Sequence, residues 1–136
     1  MEEKRIILVE DDPDHADLIK EVLEGEFDER DIVLIRDGRD AIDYFQEFSI
    51  KWDGQIKDKI NLILLDLNLP KASVMDVLKF LKKDKRYHPV PVIILSTNSD
   101  KKTIDEAYRN GVNGYVTKPV SYEEFVAKLE GLKEYY

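Results

Sequence analysis

Apolar residues in this chain arrive in short unbroken runs, and most of the runs stop on a group capable of chemistry. Leu62, Ile63, Leu64 and Leu65 are consecutive and lead into Asp66. Four apolar residues in succession suit a strand covered on both faces, the pattern of the middle of a parallel sheet. Ile6 to Val9 repeats it and ends in Glu10, Asp11 and Asp12, while Ile32 to Ile35 makes a third strand. Val92 to Leu95 runs into Ser96, Thr97, Asn98, Ser99 and Asp100, and the short, edge-like run Gly114 to Thr117 delivers Lys118 and Pro119.

Between the strands the apolar spacing changes to that of helices. Asp12 and Pro13 suit a cap and first helical residue before Ala16, Ile19, Val22 and Leu23, with Gly25 closing the helix. After a turn expected at Asp37-Gly38, Ala41, Ile42, Tyr44, Phe45 and Phe48 form an apolar face. Ser73 is a candidate cap for a helix burying Val74, Val77, Leu78, Phe80 and Leu81. A polar helix over 103–110 turns Ile104, Ala107 and Tyr108 inward and ends at Gly111. Ser121 to Glu124 reads as a capping box before Phe125, Val126, Leu129 and Leu132. Residues 49–59 fit neither period and predict a long connection around Trp52, either a functional loop or a solvated one whose tryptophan folds back on the preceding helix.

Five strands alternating with five helices predict a parallel sheet covered on both faces. With right-handed crossovers and short links the simplest topology is a doubly wound α/β sheet of order 2-1-3-4-5. One domain over 1–136 is expected, with no residues left for an output module.

Charge narrows the function classes. The net charge of -8 and the 37% of charged residues predict a soluble body that repels nucleic acid and anionic membranes. The absence of cysteine removes disulfides, thiolate metal sites and thiol nucleophiles. No segment has the length of a signal peptide core or a membrane span, so the expected location is the cytoplasm. His15 and His88 lack partners at ligand spacing and are expected to be solvated.

The groups at the strand ends converge on one chemistry. In an open parallel sheet, ligands bind in the crevice beyond the carboxyl ends of the strands. Glu10, Asp11, Asp66, Ser96 and Lys118 would meet there. Carboxylates packed together raise one another's pKa, and a hard divalent cation resolves the conflict. Mg2+ suits, because it takes one or two carboxylates and keeps waters and a phosphate oxygen. Such a pocket, with a lysine and a hydroxyl, would receive a phosphoryl group, with Asp66 as nucleophile.

Four segments carry a specific resemblance: Leu8-Val9-Glu10-Asp11-Asp12, Leu64-Leu65-Asp66-Leu67-Asn68-Leu69-Pro70, Val92-Ile93-Ile94-Leu95-Ser96 and Gly114-Tyr115-Val116-Thr117-Lys118-Pro119. In this order, each ending a strand, they resemble the receiver domain of two-component response regulators, over essentially the whole chain. The resemblance implies the flavodoxin-like, CheY-like (βα)5 fold and a phosphoacceptor switch rather than an enzyme, although such domains assist their own phosphorylation and dephosphorylation. A sensor histidine kinase would be the donor, and a downstream protein or self-association would read the state through the fourth helix, last strand and last helix.

The same resemblance implies the roles of individual residues. Asp66 would accept the phosphoryl group, and Glu10 and Asp11 would be the acidic pair. Asp11, Asp66 and the backbone carbonyl of Asn68 would bind Mg2+. Lys118 would contact the phosphoryl oxygens, followed by a cis peptide to Pro119. Ser96 and Tyr115 would be the switch pair, and Asn68 and Asn98 would tune hydrolysis of the aspartyl phosphate. The chain departs from the pattern at Ser73-Val74, where Asp-Gly is usual, which puts the loop beside Asp66 in question because Val resists positive φ. Leu67-Asn68-Leu69-Pro70-Lys71 and the 49–59 segment look closer to stand-alone receivers that partner phytochrome-type kinases. Two other classes remain: a constitutive interaction module with an inactive pocket, and a Mg2+-dependent aspartyl-phosphate phosphatase, which would want an acid where Asn68 stands.

Overall fold

The structure is a computed structural model describing residues 4–24, 31–67, 71–118, 123, 124, 127, 128, 130 and 131, with 71–73 described for their backbone alone. Its elements are β1 (Arg5–Val9), α1 (Pro13–Glu24), β2 (Ile32–Ile35), α2 (Gly38–Lys51), α3 (Ile56–Lys59), β3 (Ile60–Asp66), α4 (Lys71–Lys83), β4 (Val92–Ser96), α5 (Lys101–Arg109) and β5 (Gly114–Thr117). The six described residues beyond Lys118 are helical.

All strand pairs are parallel, in the order β2-β1-β3-β4-β5. Side chains alternate between the two faces of such a sheet, so each unbroken apolar run feeds two cores at once. Ile7, Val9, Ile63, Leu65, Val92 and Ile94 face one layer with Phe45, Val77, Leu78 and Tyr87. Ile6, Leu8, Leu62, Leu64, Ile93 and Leu95 face the other, against Ile19, Val22 and Leu23 of α1. The register pairs Val9 with Leu65, Asp66 with Leu95, and Ser96 with Thr117, so the carboxyl ends of four strands share one edge.

The helices begin where local chemistry permits, and several begin elsewhere than the sequence suggests. Asp12 caps α1 as expected, its Oδ1 accepting from the N–H of Asp14 at 2.9 Å and of His15 at 3.2 Å. Gly25, Asn68, Pro70, Pro119 and Ser121, with Phe125, Val126, Leu129 and Leu132, lie outside the described residues, so the expectations placed on them have no structural counterpart here. Asp37-Gly38 is a helix start and not a free turn: Asp37 is extended and its side chain accepts from the N–H of Asp40 at 2.8 Å. Residues 49–59 are not a long loop. α2 continues to Lys51 because the buried Ser49 hydroxyl is satisfied by the Gln46 carbonyl at 2.7 Å, and the buried Ile56 anchors α3 after a brief turn. Trp52 folds back on Phe48 with ring centroids 6.4 Å apart.

Two further corrections concern α4 and α5. α4 starts at Lys71, which places Ser73 inside its first turn instead of at its cap. Val74 is helical and 1% exposed, and among the described residues no non-glycine has positive φ, so the feared strain at this position does not arise. α5 starts at Lys101 behind the cap residue Asp100, and its buried residues are Thr103 and Ala107. Tyr108, expected inside, is 50% exposed, because a nine-residue helix buries only the narrow stripe at i and i+4.

Candidate functional site

Each loop at the carboxyl edge of the sheet contributes one kind of group. β1 is followed by Glu10, which is 1% exposed, and then by the exposed Asp11. β3 ends in Asp66, at 0% exposure. β4 ends in the buried Ser96, and β5 is followed directly by the buried Lys118. Oxygens of Glu10, Asp11 and Asp66 lie within 4.8 Å of one another.

Lys118 is the cation at the centre. Its Nζ donates to Glu10 Oε1 at 2.9 Å and to Asp66 Oδ1 at 3.2 Å, and stands 3.0 Å from His15 Nδ1. Because an ammonium only donates, the imidazole nitrogen facing it accepts, which assigns the His15 proton to Nε2. Sequence reasoning missed this histidine and expected it to be solvated. The signal available was position: the first turn of a helix that follows a site strand lies beside the site, whatever the spacing of its residues. His88 is exposed, as expected.

One ammonium does not balance two buried carboxyl groups with the exposed Asp11 beside them. Burial, then the hydrogen bond shared with the Asp66 carboxyl, pushes the Glu10 carboxyl up from 4.5 to about 8, with Lys118 opposing the rise. Asp12 behaves oppositely: the backbone N–H of His15 holds its carboxyl below the ordinary value. It therefore serves α1 and not the cluster. A cluster with oxygen donors and excess negative charge fits a hard divalent cation, which would take over the neutralisation that protonation of Glu10 otherwise provides.

Ser96 and Tyr115 meet at a third residue. Ser96 Oγ accepts from the backbone N–H of Asn98 at 2.9 Å, while the Tyr115 hydroxyl donates to the Asn98 carbonyl at 2.6 Å. The Asn98 side chain accepts from the N–H of Asp100 at 2.7 Å and reaches Thr103 Oγ1 at 3.4 Å, so it ties the strand end to the start of α5.

The sequence pattern of the response regulator receiver domain matches residues 6–130. The chain belongs to this family. Receiver domains accept phosphoryl groups from histidine kinases and act as switches. This receiver is 36% identical over 131 residues, 96% of its own length and 82% of the relative, to the probable methanogenesis regulatory protein FilR2 of Methanothrix harundinacea. Among solved structures it is similar to the phosphorylated cyanobacterial phytochrome response regulator RcpA, with a TM-score of 0.83 and 33% identity, covering 98% of this chain and 94% of that one. It is also similar to the Mn(2+)-bound response regulator Rcp1, a protein of Synechocystis sp., with a TM-score of 0.80, 30% identity and coverage of 97% and 93%. The first of these two structures, a phytochrome response regulator, matches the resemblance expected from the sequence. Among the described residues of this receiver, no helix is long and apolar enough to cross a membrane.

Proposed function

We propose that this receiver is a Mg2+-dependent phosphoacceptor switch in which Asp66 takes the phosphoryl group of a phosphohistidine on a sensor histidine kinase, in the cytoplasm. The observation that carries the reading is the buried Asp66 carboxylate, 3.2 Å from the Lys118 ammonium and grouped with the oxygens of Glu10 and Asp11. A carboxylate oxygen attacks phosphorus, the P–N bond breaks, and the imidazole leaves with the electron pair and takes up a proton. Asp11 and Asp66, with the backbone carbonyl of Asn68, would hold the cation, and Glu10 would support them. The cation supplies charge neutralisation at the phosphoryl oxygens. Lys118 releases Asp66 Oδ1 and turns its donors to those oxygens, and Asn68 and Asn98 set the access of water.

The readout runs through Asn98. When the Ser96 hydroxyl turns to the phosphoryl group, the N–H of Asn98 loses its acceptor. The loop that holds the Tyr115 hydroxyl shifts with it, and α5, β5 and the C-terminal helical residues change state together. A downstream protein or a second copy reads that surface. Intact mass after incubation with acetyl phosphate and Mg2+ tests the reading. One phosphoryl adduct that requires Asp66 and the metal is expected, and its persistence in Asp66→Asn would refute the assignment.

A further inference from the structure

The opposite end of the domain carries a concentration of positive charge that phosphoryl transfer does not use. α4 runs back from the Asp66 edge to the edge where β4 and β5 begin, and there a cleft of about 290 Å³ opens between the C-terminal ends of α4 and α5. Lys79, Lys82 and Lys83 line it from α4, His88 from the loop that follows, and Arg109, Asn110 and Gly111 from the end of α5. Among the described residues no carboxylate lines it, in a chain whose net charge is -8.

Lys82 forms the floor. Its ammonium donates to the carbonyls of His88 at 3.2 Å and Val90 at 2.9 Å and to Asn113 Oδ1 at 2.9 Å, all neutral acceptors. Burial lowers its pKa, as expected for a half-buried cation without a counter-ion. Gly111, at φ +93°, keeps the floor low, since a Cβ there would stand 3.1 Å from Lys82 Cγ. Above the floor, Lys79, Lys83 and Arg109 are exposed, and among the described residues none of them is paired with a carboxylate. Lys79 and Lys83 are four residues apart on one helix face, an arrangement of like charges that costs helix stability. An anion seated between them relieves that repulsion.

We propose that this cleft docks an acidic segment of a partner protein. The cleft is short and the surface around it belongs to a strongly acidic body, which excludes a long polyanion such as nucleic acid and leaves room for a few carboxylate side chains. It lies at the edge of the sheet away from Asp66, so docking there leaves the phosphoacceptor itself uncovered.

The test uses the full chain and a fluorescein-labelled deca-glutamate peptide, followed by anisotropy at low ionic strength without phosphoryl donor. Binding is expected, weakened about tenfold in Lys79→Glu/Lys83→Glu/Arg109→Glu. It should be unchanged in Lys4→Glu/Lys51→Glu/Lys57→Glu, which has the same net charge. The Gln triple at the three cleft positions gives the same loss without charge reversal, and circular dichroism checks the fold of each variant. Absence of binding, or equal loss in both Glu triples, overturns the proposal. Tighter binding of tripolyphosphate or of a short DNA duplex overturns it too, by assigning the cleft to phosphate. None of these outcomes bears on the acyl phosphate at Asp66.

Discussion

Lys118 Nζ stands 3.0 Å from His15 Nδ1, and with Glu10 and Asp66 the histidine completes three acceptors for the three donors of the ammonium. The residues are 103 positions apart in sequence. His15, on the first turn of α1, is more exposed than the lysine it faces, with 36% of its side chain accessible. It therefore forms the rim of the pocket over a buried cation.

From this contact, His15→Ala is expected to open the rim to water and leave one donor of Lys118 without its protein acceptor. The aspartyl phosphate then hydrolyses several-fold faster, on the order of the 1 kcal/mol that one such contact contributes. Decay of the adduct mass after removal of the phosphoryl donor measures it, and an unaltered half-life would show that the imidazole plays no part.

Glu10 makes the stability of the metal-free protein depend on pH. Its carboxyl titrates at about 8 in the folded chain against 4.5 ordinarily, so between those values the folded state binds more protons than the unfolded one. The stabilisation is fully present below about 4.5 and is lost as pH rises through about 8. Urea unfolding in chelator across this window should show stability from this group falling with pH, and Glu10→Gln should remove that component. Parallel profiles for the two proteins would contradict the assignment.

A divalent cation held by the ionised cluster would reverse the trend. Mg2+ at about a hundred times its dissociation constant is expected to stabilise the folded chain by about 2.7 kcal/mol. The gain grows as pH rises toward 8, as Glu10 gives up its proton. Thermal melts with and without Mg2+ report it. Asp11→Asn should abolish most of the increment, and an undiminished shift in that variant would place the cation elsewhere.

Tyr87 provides a structural control away from the pocket. Its ring is 0% exposed, packs edge-on against Phe45 with centroids 5.3 Å apart, and its hydroxyl donates to the Phe45 carbonyl at 2.6 Å. Tyr87→Phe keeps the ring and removes the bond, for a loss of about 1 kcal/mol. The urea midpoint should fall while the yield of phosphoryl adduct stays the same. A fall in adduct yield would connect this side of the core to the site.

The strand runs and their terminal residues determine a large share of this protein. Four consecutive apolar residues suit a strand covered on both faces, so Ile6 to Val9, Leu62 to Leu65 and Val92 to Leu95, alternating with helical segments, point to the parallel sheet without any coordinates. Once the sheet is parallel, its carboxyl ends share an edge, and Glu10, Asp11, Asp66, Ser96 and Lys118 follow as neighbours. Helix limits are less legible, because caps and turns use the same residues: Asp37 caps α2 where a turn was expected, and Ser73 looks like a cap inside α4.

What only the tertiary structure decided are the contacts that no spacing encodes. His15 and Lys118 meet because α1 leaves the edge at which β5 delivers its lysine: the position of His15 after a site strand gives its neighbourhood, and no spacing gives the partner. Tyr115 and Ser96 are joined through Asn98 for a similar reason, the backbone of one loop offering its N–H to one side chain and its carbonyl to the other. The lysines of α4 gather into a cleft only when the end of α5 closes beside them. Periodicity records which way a side chain faces within its own element, whereas the meeting of two elements depends on the packing of the whole sheet.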